Sequence, residues 1–408
     1  MNQQMESSLA AKAAGEVQTF GKNKGAELRG CWVATVKNLD FPGKDVGSEK
    51  CEVQFKEEFL KILETCRMFG LNAVFVQVRP EGDAFYPSAI NPWSRFLTGV
   101  QGVSPGFDPL KWMIGECRPA GVEFHAWLNP YRVTAARFSS REEALASLCN
   151  SHPARKSPDE LLFFDGKLMY DPGVPAVRAH ICETVEEILA YEVDAIHFDD
   201  YFYPYPIEQD GGLLRFSDTG LDWQSYEHYG GGACIHQWRQ DNISKMIEAV
   251  YKTIQQRAEF GVSPYGIWAH ESEHPAGSKT SLPRLGTLSE YADTRAWVEA
   301  GWLDYIVPQL YWSCADPHSS FEVLCRWWDD LAAGHGTRLY LGLGLYHYDE
   351  AELWQDPEEI VRQVQLSRNL PHTEGLVLFR YQNLVEDHLT KPVLGQALSS
   401  LRKLLPNP

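Results

Sequence analysis

Two aspartates, Asp199 and Asp200, stand side by side in the segment HFDDY at 197–201. Adjacent carboxyl groups hinder each other's ionisation, so one can hold a proton at a pH where the other is charged. A carboxyl that donates a proton, paired with one that acts as base or nucleophile, is the chemistry that cleaves glycosidic bonds. The pair therefore indicates acid–base or nucleophilic catalysis.

A second catalytic carboxyl can also come from another part of the chain. Glu81 is predicted to be catalytic together with Asp199 and Asp200, and three further candidates follow later strands. These three are Glu271, Glu273 and Asp316. The sequence does not give the separation between two carboxyl groups, so retaining and inverting mechanisms both stay open.

The apolar pattern predicts a scaffold that brings these distant residues together. Eight β-type runs alternate with eight helix-like segments, which favours a closed (β/α)₈ TIM barrel over an open sheet of five or six strands. The predicted strands are 28–35, 73–79, 123–129, 194–200, 260–263, 305–312, 339–346 and 376–382. The predicted helices are 52–69, 108–120, 174–191, 238–259, 289–301, 320–333, 357–369 and 391–404.

Domain organisation follows from the same pattern. Residues 1–25 are polar and without period, so we expect a disordered tail, and residues 26–408 are predicted to form a single barrel domain. Long segments at 80–107, 130–173, 201–237 and 264–288 all follow strands. They are expected on the C-terminal face of the barrel, where active sites of this fold are built.

Alternation along each strand predicts which side chains point into the barrel. Polar and aromatic residues of several strands share the inward parity near the strand ends, so they are predicted to converge on the aspartate pair. The predicted substrate-binding residues are Arg79, Trp93, His125, Trp127, Asn129, Tyr201, Gln309, Tyr311, Trp312 and Arg380. The tryptophans among them, together with the tyrosines, would offer flat faces to sugar rings.

Composition narrows the class of partner. A net charge of −18 disfavours nucleic acid and anionic membranes, because both repel a polyanion. We expect a polysaccharide or oligosaccharide substrate, no membrane span and no cofactor. A divalent metal on Asp199 and Asp200 with His197 or His125 is an alternative, but no His-x-His occurs at the first strand to anchor it. No metal is therefore expected.

Cysteine usage and the N-terminus bear on the compartment. The nine cysteines have no regular spacing and form no Cys-x-x-Cys pair, which indicates free thiols in a reducing environment. The first 25 residues lack the apolar core of a signal peptide. The sequence as it stands predicts a cytoplasmic protein, with the periplasm or cell envelope as the alternative if an export signal has been removed.

Several long segments together resemble the bacterial glycosyl-hydrolase-like family ten. They include ELRGCWVATVKNLDFP, LNAVFVQVRPEGDAFYPSAINPWSRFLTGVQG, GVEFHAWLNPYRV, VDAIHFDDYFYPYP and LDYIVPQLYW, in the same order. The resemblance implies a TIM barrel and a glycosidase, and a member of the family cuts peptidoglycan strands stripped of their peptides. It places the polar rim at Arg79, Glu81, Asn129, Asp199, Asp200, Gln309 and Tyr311. The chain departs from the family after SPYGIW, where it reads AHESEHP.

Three functions are compatible with these residues. The first is a glycoside hydrolase of O-glycosyl bonds that uses carboxylate catalysis. The alternatives are a catalytically inactive glycan-binding barrel and a metal-dependent deacetylase or amidohydrolase on the same polymer. Serine hydrolase and nucleotide-binding chemistry are disfavoured, because the sequence has no P-loop and has neither Gly-x-Ser-x-Gly nor Gly-x-Gly-x-x-Gly directly after a predicted strand. Oligomeric state stays open.

Overall fold

Eight parallel strands close a barrel in which each strand pairs with the next along the chain and the last pairs with the first. The structure, a computed structural model, describes residues 26–43, 51–209, 211–282, 286–386 and 389–405. The strands are β1 (Leu28–Val33), β2 (Ala73–Arg79), β3 (Glu123–Leu128), β4 (Ala195–Phe198), β5 (Glu259–Val262), β6 (Tyr305–Ile306), β7 (Arg338–Gly344) and β8 (Thr373–Phe379). The predicted fold class is confirmed, and the predicted tail, 1–25, lies outside the described residues.

One main helix follows each strand and covers the outside of the barrel. These helices are α1 (Cys51–Phe69), α2 (Pro109–Ala120), α3 (Pro175–Leu189), α4 (Ile235–Ile254), α5 (Thr294–Glu299), α6 (Phe321–Ala332), α7 (Glu359–Arg368) and α8 (Pro392–Leu404). Shorter helical turns lie at Val36–Asn38, Arg95–Thr98, Arg141–Ala146, Pro153–Lys156, Pro158–Glu160, Phe216–Asp218, Trp223–Tyr229, Thr287–Glu290, Glu352–Trp354 and Tyr381–Val385. Two hairpins join Leu161–Phe164 to Lys167–Tyr170 and Ile207–Gln209 to Gly212–Leu214.

Local signals explain where the helices begin and end. Asp108 caps α2 by accepting a hydrogen bond from the backbone N–H of Lys111, and Pro109 occupies the first turn. Gly121 ends the same helix with a φ of 67°, a conformation that favours glycine. Gly70 and Gly301 have φ of 61° and 68° between a helix and the next strand. They too end a helix before the next strand begins.

Two strands differ most from their predicted bounds. β6 has only two residues, because Pro308 has no N–H to contribute to the ladder. The chain beyond it still forms single bridges from Gln309 to Tyr265 and Gly342. β8 begins at Thr373 and ends at Phe379, because the following residue caps the short helix Tyr381–Val385.

Strand residues divide between two hydrophobic clusters, as their alternation predicts. Val74, Val76 and Val78 face the helices in the larger cluster, which lies between the barrel and its helical layer. The smaller cluster fills the barrel interior with large side chains. Its members include Trp32, Phe75, Trp127, Tyr305 and Tyr340. The interior is therefore a solid core, and a ligand has access only above it, at the strand ends.

Gly261 in β5 tests how tightly this interior is filled. A Cβ atom at this position would lie 2.0 Å from Cε2 of Tyr305. We expect Gly261→Ala to lower the free energy of unfolding by about 1–3 kcal/mol in urea titration, because the ring must move in a full core. At Gly115 in α2 a Cβ would have no atom within 4 Å, so Gly115→Ala should raise stability by about 0.5–1 kcal/mol. Equal stability of the two variants would contradict a filled interior.

Candidate active site

The aspartate pair lies at the end of β4, where the two side chains meet different surroundings. Asp199 is only 4% exposed and points into the mouth of the barrel. Its Oδ2 accepts hydrogen bonds from Nε1 of Trp127 at 3.0 Å and from Nδ2 of Asn129. Its Oδ1 accepts from the backbone N–H of Tyr201 at 3.3 Å. These donors hold the carboxyl group in one orientation.

Burial sets the protonation of Asp199. The pKa of this carboxyl is raised to about 7, mainly because burial removes it from water; the charge of Arg132 opposes the rise and the charge of Asp200 adds to it. Near neutral pH the side chain therefore carries a proton for part of the time. A carboxyl with this property suits proton transfer at neutral pH.

Asp200 instead faces a cleft on the C-terminal side of the barrel. The cleft has a volume of about 630 Å³. Tyr205 donates its phenolic hydroxyl to Oδ2 of Asp200 at 2.6 Å, which fixes the carboxylate at the cleft wall. The other lining residues come from the loops after β5, β6 and β7 and from the end of β8. They are Tyr265, Gln309, Tyr311, Trp312, Ser313, Asp316, Tyr346, His347, Ala351, Glu352, Leu353, Trp354 and Phe379.

Aromatic side chains form much of the cleft wall. Tyr265 meets Trp312 edge to face, with 5.3 Å between ring centroids. Tyr311 stacks on Phe379 at 5.3 Å and meets Tyr346 edge to face at 5.8 Å. Flat apolar faces beside hydroxyl and carboxyl groups are the surfaces that bind sugar rings. The cleft is therefore suited to a carbohydrate ligand.

The structure brings several predicted residues to this region. Gln309, Tyr311 and Trp312 line the cleft, while Trp127 and Asn129 bind Asp199 beneath it. Gln309 is oriented by its Nε2, which donates to the backbone carbonyl of Ser263 at 2.8 Å. Tyr201 is 47% exposed. The guanidinium of Arg132 lies 4.4 Å from the centre of the Tyr201 ring.

Glu81 is not brought to the cleft. It is 3% exposed, accepts a hydrogen bond from the backbone N–H of Ala135 at 2.5 Å and pairs with Arg95 at 3.3 Å. Burial, followed by the charge of Asp83, raises the pKa of Glu81 to about 7. The structure places this residue in a buried network that ties the loop after β2 to the loop after β3.

Four predicted sugar contacts also lie away from the cleft. Arg79 is fully buried and donates to the backbone carbonyl of Asn129 at 2.6 Å. His125 lies deep in the barrel, where its Nδ1 is 2.9 Å from the hydroxyl of Tyr305. Trp93 packs against the outer hydrophobic cluster. Arg380 forms an ion pair with the buried Asp40 at 2.5 Å.

The three carboxyl candidates that follow later strands do not share one site. Asp316 lines the cleft with Asp200, and its Oδ1 accepts from the backbone N–H groups of His318 and Ser319 at 2.8 and 2.9 Å. Glu273 binds the backbone of its own loop, and Glu271 is exposed. Asp316 is therefore the candidate from this group that shares the cleft.

Several residues near the cleft lie in loops and were not predicted from the sequence. Tyr346 and Trp354 lie in the segment after β7, which has no periodic pattern, although Tyr346 ended a predicted strand and its parity could have been read. Arg132 stands three residues after Asn129 and donates to its Oδ1 at 2.8 Å. For Tyr205, the only indication in the sequence was the series of aromatic residues that follows the two aspartates.

Metal-ligating clusters and membrane-spanning helices are both absent from the described part of the chain. No group of three or more histidine, cysteine, aspartate or glutamate side chains there could hold a metal ion. Among the same residues, none of the helices combines the length and apolar character needed to cross a bilayer.

Comparison with known proteins identifies the family. The glycosyl hydrolase-like 10 family matches residues 27–359. The chain belongs to this family. It is 40% identical to glycosyl hydrolase YngK of Bacillus subtilis over 93% of its own length and 73% of that protein. It is 35% identical to glycosyl hydrolase DigH of Escherichia coli K12 over 97% of its own length and 91% of that protein. The resemblance seen in the sequence is confirmed.

The buried proton of Asp199 predicts a measurable pH dependence of stability. Its pKa is raised in the folded state, so between about pH 4 and 7 the unfolded chain releases a proton that the folded protein keeps. This contribution to stability is present at low pH and is lost as pH rises through 7. Asp199→Asn should remove a slope of up to about 1.4 kcal/mol per pH unit from the free energy of unfolding.

Chemical denaturation at several pH values checks this slope. Asp159→Asn, a change at an exposed position, is the matched control. Identical pH slopes for wild type and Asp199→Asn would show that Asp199 is ionised throughout the range, contrary to the effect of its burial.

Proposed function

We propose that the protein is a glycoside hydrolase that cleaves O-glycosyl bonds of a polysaccharide bound along the cleft. The observation that carries the proposal is the position of Asp200, whose carboxyl group lines a cleft of about 630 Å³ walled by aromatic rings. A carboxylate fixed beside sugar-binding surfaces at the strand ends of a barrel is the arrangement that glycosidic bond cleavage requires. Membership of the glycosyl hydrolase-like 10 family supports the same activity.

The carboxyl groups take different roles in this proposal. Asp200 contacts the substrate and acts as acid/base or nucleophile, and Asp316, which lines the same cleft, supplies the second carboxyl. Asp199 lies behind Asp200 and holds a proton near neutral pH. The charge of Asp200 adds to the rise in the pKa of Asp199, because two adjacent carboxylates repel each other.

The aromatic wall orients the polymer. Trp312 and Tyr346 present ring faces for stacking, while Gln309 offers its side-chain carbonyl to a sugar hydroxyl. We propose peptidoglycan strands without peptides as the first polymer to test, because the family resemblance suggests them. Neutral polysaccharides form the comparison set.

Release of new reducing ends tests the activity. We expect Asp200→Asn to lower kcat by about 10²- to 10⁴-fold, the usual contribution of a carboxyl that transfers a proton or attacks the substrate. Asp316→Asn should lower kcat by a similar factor if Asp316 supplies the second carboxyl. The exposed Asp159→Asn is the control and should match wild type.

A chelator and a binding assay separate the rival functions. A carboxylate glycosidase is indifferent to chelation, whereas a metal-dependent deacetylase or amidohydrolase loses activity and releases acetate or amine without new reducing ends. Glycan binding without turnover in wild type, unchanged in Asp200→Asn, would replace the hydrolase with a glycan-binding barrel. Full activity of Asp200→Asn would remove Asp200 from the mechanism.

A further inference from the structure

A row of buried polar side chains crosses the mouth of the barrel beneath the cleft. Gln77 lies in β2, Asn129 directly follows β3 and Asp199 directly follows β4. Their exposed fractions are 0%, 0% and 4%, so water does not compete for their hydrogen bonds. The three side chains are hydrogen-bonded in sequence and join three neighbouring strands.

The first contact fixes the direction in which the Gln77 amide faces. Its Oε1 accepts hydrogen bonds from the backbone N–H groups of Thr35 at 3.1 Å and Val36 at 2.9 Å. A backbone N–H can only donate, so the carbonyl end of the amide must face these two residues. The NH₂ end therefore faces Asn129, and Nε2 of Gln77 donates to its Oδ1.

The second contact fixes the Asn129 amide in the same way. Its Oδ1 also accepts from Nη1 of Arg132 at 2.8 Å. A guanidinium has no acceptor, so Asn129 must present Nδ2 to Oδ2 of Asp199. Nε1 of Trp127 donates to that same oxygen at 3.0 Å. Oδ2 of Asp199 can thus only accept, and a proton on this carboxyl has to occupy Oδ1.

We propose that Gln77 is a positioning residue which, through Asn129, confines the proton of Asp199 to Oδ1. The proposal rests on the proposed function, because a fixed proton beside Asp200 serves catalysis only if Asp200 meets a substrate. Fixed donors and acceptors that need no rearrangement during reaction favour rapid proton transfer. Gln77 never touches the substrate in this arrangement and acts only through its neighbours.

The charged and titratable groups around Asp199 are few. Asp200 follows it in the chain and is held by the phenol of Tyr205. Arg132 approaches from the loop after β3 and also acts on the buried Glu81. The variants below substitute none of these four groups.

Asn129→Leu removes the donor to Oδ2 while keeping a side chain of similar size. Without that donor the charged form of Asp199 is less favoured, so its titration should move to higher pH by about one unit. Gln77→Met removes the contact that fixes Asn129 and should move the titration in the same direction by a smaller amount. The midpoint is read from unfolding free energies measured across pH, with and without Asp199→Asn in each background.

A double-variant cycle tests whether the two residues act in series. If Gln77 acts only through Asn129, the midpoint in Gln77→Met/Asn129→Leu should equal that in Asn129→Leu alone. Additive shifts would overturn the proposal. The matched control is Thr337→Val, which loses one buried hydrogen bond to the carbonyl of Leu303 at the other end of the barrel. It should lower stability without moving the midpoint.

A second readout separates this proposal from the proposed function. In the plot of kcat/KM against pH, the limb that reflects the ionisation of Asp199 should shift together with the titration midpoint in each variant. A Gln77→Met protein that loses stability but keeps the midpoint and the profile of wild type would show a merely structural role and overturn the proposal. If the midpoints move as expected but wild type cleaves no glycan, the hydrogen-bond arrangement stands and the hydrolase is refuted.

Discussion

Closure of the parallel barrel is the constraint on which the rest of the structure depends. Once the eight strands meet, every second side chain points into an interior that water does not enter. Large rings such as Trp32 and Tyr305 fill the middle of that space. Polar side chains that share the inward parity must then find partners among themselves near the strand ends. The network around Asp199 is the result of this requirement.

The same constraint gives adjacent aspartates different properties. Asp199 keeps the inward parity of β4, so it is buried and its pKa is raised to about 7. Asp200 has the opposite parity at a point where the strand has ended, so its side chain reaches the cleft and meets Tyr205. Two consecutive residues therefore differ in role: Asp199 is a buried carboxyl that holds a proton, and Asp200 is a carboxylate that a ligand can approach.

The number, order and type of the barrel strands and main helices could be predicted from the sequence, because apolar runs and amphipathic segments alternate along the whole chain. Alternation also gave the inward face correctly for His125 and Asn129, but not for Arg79, because a register shift near the end of β2 pairs Arg79 with Leu128, which packs in the outer cluster. It could not give height along the barrel axis, and His125 lies too deep to reach a ligand. The cleft wall from Tyr346 to Trp354 comes from a loop without period, whose course depends on packing against distant parts of the fold.

We propose that the glycan binds in the cleft beside Asp200. A crystal structure of Asp200→Asn with a bound glycan oligosaccharide would show whether it does. We expect sugar rings against Trp312 and Tyr346, with a glycosidic oxygen about 3 Å from the side chain at position 200. An oligosaccharide bound elsewhere on the barrel, with no sugar atom near position 200, would contradict the assignment of both the cleft and Asp200.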